Sequence, residues 1–247
     1  MRLKLIVSYE GTAFSGWQSQ RQGNTVQDLI EKAFFQIVGK RIILYGAGRT
    51  DTGVHALGQC AHVDIPSTHL KIEDWHRALN AHLPHEIRIL KVTPISADFH
   101  AQFSSIGKIY RYRIWNAEVM PPLERHRAWH VRNPLNIQQI CTSAAFFEGK
   151  HNFSSFSARR GKIPCNPIRT IKRIQITRPH RQEIRLTFEG EGFLYKMIRM
   201  LTAALVRVGE GKEDTTWIPH LLNSPTEFNK TQHVAPAQGL YLVRVLY

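Results

Sequence analysis

Arg2-Leu-Lys-Leu-Ile-Val-Ser-Tyr9 alternates apolar and polar side chains in its first half, the period of a β-strand with one face buried. Sixteen residues on, Thr25-Val-Gln-Asp-Leu-Ile-Glu-Lys-Ala-Phe-Phe-Gln-Ile37 changes period. Val26, Leu29, Ile30, Ala33, Phe34 and Ile37 recur at helical spacing, and Thr25 with Asp28 three residues later forms a capping-box pattern. Strands are expected over Arg41 to Tyr45 and Gly58 to Ile65, with a Gly-rich loop between them. A helix over Ile72 to Leu83 stops before Pro84, and Glu86 to Ile95 returns as a strand. The order is β-α-β-β-α-β.

The rest of the chain repeats it. Lys108 to Trp115 alternates as a strand, and Ile137 to Phe147 reads as a helix with Gly149 as its stop. Arg169 to Arg178 and Glu183 to Glu189 are strands joined across Pro179 to Gln182. A long helix is expected from Phe193 to Val208, a short one over Thr216 to Leu222, and Leu240 to Leu246 closes as a strand. Two such units describe an α+β fold of two ferredoxin-like (RRM-like) halves, residues 1–105 and 106–247, with antiparallel sheets side by side and a central cleft. No low-complexity linker separates them, so one fused catalytic unit is expected.

Composition narrows the partners. Of 247 residues, 43% are apolar and 21% charged, as in an ordinary globular protein. Lys plus Arg is 33 against Asp plus Glu 19, a formal net charge of +14. Such a surplus draws in polyanions, nucleic acid first. No basic block adjoins an amphipathic anchor, and no stretch has the length of a membrane span. Cys60, Cys141 and Cys165 lie far apart without a CxxC pair, which argues against a disulfide framework and a zinc site and fits a reducing compartment. The apolar run Leu5 to Val7 is too short for a signal-peptide core. A cytoplasmic protein is expected.

Chemistry concentrates in Gly46-Ala-Gly-Arg-Thr-Asp-Thr-Gly-Val-His55, between two expected strands. Its glycines permit positive φ or close approach of backbone, and it carries one cation, Arg49, and one carboxylate, Asp51. A plain turn in which Asp51 bonds its own backbone is the bland alternative. A phosphate-binding loop fails, since no Gly-Lys-Ser/Thr follows and the carboxylate would repel phosphate. The 13 histidines form no HExxH or His/Cys cluster, so no metal site is expected, and His55 reads as a hydrogen-bonding loop residue.

Gly48-Arg-Thr-Asp-Thr-Gly-Val-His55 with Gly58-Gln59 resembles the signature loop of the TruA family of tRNA pseudouridine synthases. The resemblance continues through Tyr9-Glu-Gly-Thr12, Gly16-Trp-Gln-Ser-Gln20, Phe99-His-Ala101, Tyr110-Arg-Tyr112, Phe153-Ser-Ser-Phe156, Met197-Ile-Arg199 and Gly239-Leu-Tyr-Leu242. It covers nearly the whole chain in order. It implies isomerisation of uridine to pseudouridine at tRNA positions 38 to 40, in the anticodon arm, by a homodimer without metal or cofactor.

The resemblance also assigns roles. Asp51 becomes the catalytic carboxylate, a group that can attack and then leave. Arg199 matches the basic residue that the family sets against it, with an ordinary solvated arginine as the alternative. Tyr110 matches the tyrosine expected to stack on the target base. Tyr110 and Tyr112 share one strand face, with Arg111 and Arg113 on the other. Arg49 either enters the space left by the uridine, grips its phosphate, or forms a salt bridge that fixes the loop. Lys108, Arg111, Arg113, Arg159, Arg160 and Lys162 are candidates for phosphate contact. Glu10, Thr52, Gln102 and Asn152 depart from the usual pattern, none of them at Asp51, Tyr110 or Arg199.

Two other classes remain open at this point. A non-catalytic RNA-binding protein with two RRM-like halves lacks an RNP1 aromatic signature here and gives the Asp51 loop no task. A metal-dependent nuclease needs clustered carboxylates, of which the loop offers one.

Overall fold

The computed structural model describes residues 1–21, 23–66, 70–158, 166–225 and 231–247. The chain divides into two compact units, residues 1–106 with 241–247, and residues 107–240. Each combines a mixed β-sheet with helices, an α+β arrangement. The candidate phosphate ligands Arg159, Arg160 and Lys162 lie outside the described residues, as does Cys165.

The first unit runs β1 (Arg2–Tyr9), α1 (Val26–Val38), β2 (Tyr45–Gly46), β3 (His55–Asp64), α2 (Ile72–His82) and β4 (Ile87–Ile95). Strand β1 lies between β4 and β3, antiparallel to both, and β2 pairs with β3. Leu3, Leu5, Val7 and Tyr9 turn inward, as the alternation requires. Thr25 caps α1 by accepting from the Asp28 N–H at 3.2 Å, and Gly39, at φ +67°, ends it. Phe34 of α1 meets Trp75 of α2 with ring centres 5.5 Å apart. Both rings are fully buried, each worth about 1.5–3 kcal/mol or more of apolar transfer.

The expected strand over Arg41 to Tyr45 is reduced to its last residue. Ile42 and Leu44 are buried while Ile43 is exposed, so the alternation is real. The backbone bonds, however, go to side chains of α1. The Leu44 N–H donates to Glu31 Oε1 at 3.0 Å, and the Leu44 carbonyl accepts from Gln27 Nε2 at 3.2 Å. Those groups are satisfied without a neighbouring strand.

The second unit contains β5 (Gly107–Asn116), β6 (Trp129–Val131), α3 (Ile137–Ala145), β7 (Gly149–Asn152), β8 (Ile168–His180), β9 (Glu183–Gly190), α4 (Met197–Gly209) and α5 (Trp217–Asn223). Its strands follow the order β5-β9-β8-β7, with β6 parallel to β5. Tyr110, Tyr112 and Ile114 face Phe188, Leu186 and Ile184 across the β5–β9 pair, and all six are buried. Helix α4 is deeply buried, with Leu201, Ala204, Leu205 and Val208 fully enclosed. It begins four residues later than periodicity suggests. Lys196 takes φ +59°, a left-handed conformation that cannot continue a right-handed helix, so Phe193 to Tyr195 precede the helix. Strands β6 and β7 are too short for their alternation to stand out in the sequence.

The final strand, β10 (Leu240–Leu246), joins the first unit, where Tyr241 and Leu242 pair in parallel with His55 and Ala56.

Candidate active-site loop

The loop carrying Asp51 leaves β2 and enters β3, and it is held along its length. The Ala47 N–H donates to the Cys60 carbonyl at 2.8 Å, and Gln59 Nε2 donates to the Gly48 carbonyl at 2.7 Å. The Thr50 carbonyl accepts from the Trp17 N–H at 3.2 Å. The Thr50 hydroxyl meets the Tyr9 hydroxyl at 2.7 Å in a buried contact. The Val54 N–H closes the turn onto the Asp51 carbonyl at 3.1 Å. Asp51 itself is half-buried, between buried Thr50 and exposed Thr52.

The glycines of the loop have separate reasons. Gly53 stands at φ +79°, where a side chain is strained. Gly46 lies flat against the Trp17 indole, and a Cβ there would collide with the ring. In this way residues 9–17 form a brace against the loop that carries Asp51. Tyr9-Glu-Gly-Thr12 and Gly16-Trp-Gln thereby acquire a task that the sequence alone does not give them. The signal that could have found one is Gly16, a glycine beside a tryptophan outside any expected turn.

His55 opens β3 as a hydrogen-bonding residue. Its Nδ1 accepts from the Gly11 N–H at 3.0 Å, and Tyr241 stacks on its ring at 4.6 Å. Arg49 is exposed, and its Nε donates to Gln18 Oε1 at 3.1 Å.

The remaining expected residues belong to the second unit. Tyr110 is buried, its ring perpendicular to that of Phe193 with ring centres 5.3 Å apart. Two positions away on the same face, Lys108 stands opposite Gly190, and burial lowers its ammonium pKa. Arg111 is opposite Thr187 on the other face. Burial lowers its pKa, with neighbouring Arg185 acting in the same direction.

Arg113 is committed to carboxylates. It donates to Glu183 at 2.6 Å and pairs with Glu124 at 2.9 Å, while Arg185 reaches the same Glu183 oxygen at 2.7 Å. Burial pushes the Glu183 carboxyl up, but bonds from Arg185 and Arg113 outweigh it and hold the group below its ordinary range.

Arg199 is half-buried on α4. Its Nε donates to the Ala235 carbonyl at 2.7 Å, and the Ala235 N–H returns to the Arg199 carbonyl at 3.1 Å. The next carbonyl, Pro236, accepts from the Tyr112 hydroxyl at 2.7 Å. Tyr112 is thus a core residue with a polar anchor, and burial raises its phenol pKa.

Among the described residues, no three His, Cys, Asp or Glu side chains are grouped to hold a metal ion, and no helix is long and apolar enough to cross a membrane.

A family model described as tRNA pseudouridine synthase matches residues 5–104 and 144–247. The tRNA pseudouridine synthase A of Akkermansia muciniphila is 40% identical over 253 aligned positions, covering all of this chain and 95% of that protein. Its counterpart from Acetivibrio thermocellus is 39% identical, with 99% of each chain covered. The tRNA pseudouridine synthase A 1 of Protochlamydia amoebophila is 38% identical over 99% of this chain and 95% of its own.

Proposed function

The chain belongs to the tRNA pseudouridine synthase family of isomerases, and from that membership we propose that it converts uridine to pseudouridine in the anticodon arm of tRNA, at positions 38 to 40, with Asp51 as the catalytic carboxylate. The observation that carries this reading is the Asp51 loop, whose backbone is tied on both sides of the carboxylate. A loop so braced holds a reactive group in one place, as catalysis requires and a surface turn does not.

The reaction breaks the bond from N1 of uracil to C1′ of ribose. It turns the base and forms a bond from C5 to C1′, after which C5 loses its proton and N1 gains one. No redox step or group carrier is needed. Asp51 serves this chemistry by attacking and leaving, or by countering positive charge at the sugar. Arg199 is the cation that orients and balances it, and Tyr110 provides a stacking face for the base once it has left the helix stack. Arg49 occupies the space the base vacates, or grips its phosphate. Lys108, Arg111, Arg159, Arg160 and Lys162 are the proposed phosphate contacts, drawn from a chain of net charge +14, while Arg113 is left to its ion pairs with Glu183 and Glu124.

Within this reading the protein works in the cytoplasm as a homodimer, without metal or cofactor. Its two repeats in sequence, residues 1–105 and 106–247, are ferredoxin-like halves, the closing strand of the second, β10, being packed with the first unit. The β-α-β-β-α-β order of β1 to β4 with α1 and α2, and the placing of β1 between β3 and β4, support the assignment for the first.

The test uses bulk tRNA lacking pseudouridine and labelled with tritium at uridine C5. The protein should release tritium in the presence of EDTA, leave the strand intact, and place pseudouridine in the anticodon arm. Binding without release would return the chain to the RNA-binding class.

A further inference from the structure

We propose that Tyr9 is a positioning residue for Asp51, acting through the hydroxyl of Thr50; the proposal rests on Asp51 being the catalytic carboxylate. Tyr9 is the last residue of β1, in a different part of the sequence from the loop. The residue is 4% exposed and its ring lies against Trp17 at 5.9 Å, so packing holds the ring in place. Its hydroxyl nevertheless reaches Thr50 Oγ1 at 2.7 Å, both atoms being buried.

Thr50 immediately precedes Asp51, and it is gripped twice. Its side chain is held by Tyr9, and its carbonyl accepts from the Trp17 N–H at 3.2 Å. These two contacts come from opposite ends of one segment, residues 9–17. Together they fix the peptide plane from which the Asp51 backbone continues. The Asp51 carbonyl is then set by the Val54 N–H, so the direction of the Asp51 side chain follows from backbone that cannot rotate freely. A threonine side chain is stiff about χ1, and anchoring its oxygen fixes the backbone it hangs from. Removing the Tyr9 hydroxyl leaves every apolar contact of the ring in place and releases one of the two grips. Misplacement of a reacting group by about 1 Å costs on the order of 10²-fold in rate. The effect should therefore fall on the chemical step and leave tRNA binding nearly untouched, with a modest loss of thermal stability because the buried Thr50 hydroxyl loses its partner.

The experiment measures single-turnover tritium release, tRNA affinity by filter binding, and thermal melting on the same preparations of full-length protein. Tyr9→Phe should lower the single-turnover rate by about 10- to 100-fold, with tRNA affinity within about twofold of the unchanged protein. Thr50→Val, which removes the other hydroxyl at nearly constant shape, should do the same. The double variant should be no slower than either single one, because one contact is lost in all three. Thr50→Ser restores the hydroxyl and should return the rate close to that of the parent protein. Should Tyr9→Phe fold poorly, the contrast between Thr50→Val and Thr50→Ser gives the same reading. A parental rate in Tyr9→Phe overturns the proposal, as do additive losses in the double variant or a loss accounted for by weaker tRNA binding. Asp51→Asn separates the two levels of inference. If it turns over, the catalytic reading fails; if it is inactive while Tyr9→Phe is fully active, the positioning role alone is wrong.

Discussion

Gly16 rests against the backbone of Thr50: a Cβ on it would stand 2.6 Å from the Thr50 carbonyl oxygen and 3.2 Å from the carbonyl carbon of Asp51. Its φ of +87° adds a second demand for glycine. Gly16→Ala should cost about 1–2 kcal/mol in backbone strain alone, and should further displace the loop, since backbone cannot give way as a side chain can. Gly39 makes a control, because it has φ +67° with nothing among the described residues within 4 Å of an added Cβ. Thermal melts should show Gly39→Ala losing about 1 kcal/mol with turnover preserved. Gly16→Ala should lose turnover out of proportion to its stability.

Asp51→Asn should reduce turnover to background. The loop carries no second carboxylate to substitute, and binding depends on basic groups elsewhere. Filter binding should give a tRNA affinity near that of the parent. Arg199→Ala should also slow the reaction steeply, and the double variant should be little worse than Asp51→Asn, as for residues that act as one unit. Appreciable single-turnover tritium release by folded Asp51→Asn would sink the mechanism.

Glu183 shares its carboxylate between Arg113 and Arg185 while being 1% exposed. Glu183→Gln removes the charge and leaves two guanidinium groups facing an amide. Breaking a buried pair costs about 3–5 kcal/mol, and the low end applies because Arg185 is partly in water. Urea unfolding should show that loss. The carboxyl titrates below its unfolded value, so its contribution is full above pH about 4.5 and disappears as pH falls through the folded pKa. Glu183→Gln should remove that part of the acid transition.

His62 acts in the same direction by stabilising its neutral form. Burial, with His100 and Arg2 nearby, lowers its pKa from 6.5 to about 4. Its Nδ1 accepts from the Ala101 N–H at 3.1 Å, a bond that a proton on that nitrogen destroys. Between pH about 6.5 and about 4 the unfolded chain binds the proton more readily, so stability must decline as pH is lowered through that window. Melting temperature should track it. His62→Asn offers an oxygen acceptor that does not titrate, and should flatten the decline. An unchanged slope would mean that other groups carry it.

Much of this was legible in the sequence, for physical reasons that also mark the limit. Alternation in β1 and helical spacing in α1 report burial, and both elements stand where those patterns put them. The stretch before Tyr45 alternates just as truly, yet Leu44 finds its hydrogen-bond partners on Gln27 and Glu31. Periodicity records which side is buried and is silent about who supplies the bonds. At the other end of the chain, apolar spacing runs on from Phe193 into α4, while one left-handed residue, Lys196, sets the true start. The Asp51 loop could be found because its residues are adjacent. The hydroxyl pair of Tyr9 and Thr50, 41 residues apart, could not, because no local pattern encodes a contact of that span.

The parallel pairing of Tyr241 and Leu242 with His55 and Ala56 bears on how the polypeptide is made. A ribosome delivers β3 early and β10 only after the whole second unit has emerged. Until then the start of β3, the stretch that receives the Asp51 loop, lacks both its β10 neighbour and the Tyr241 ring that covers His55. Pairings of such long span form slowly, and an open strand edge is a site of misassembly in the meantime. A part of the enzyme synthesised early is therefore among the last to be finished, so the Asp51 loop matures only after its own translation is long past.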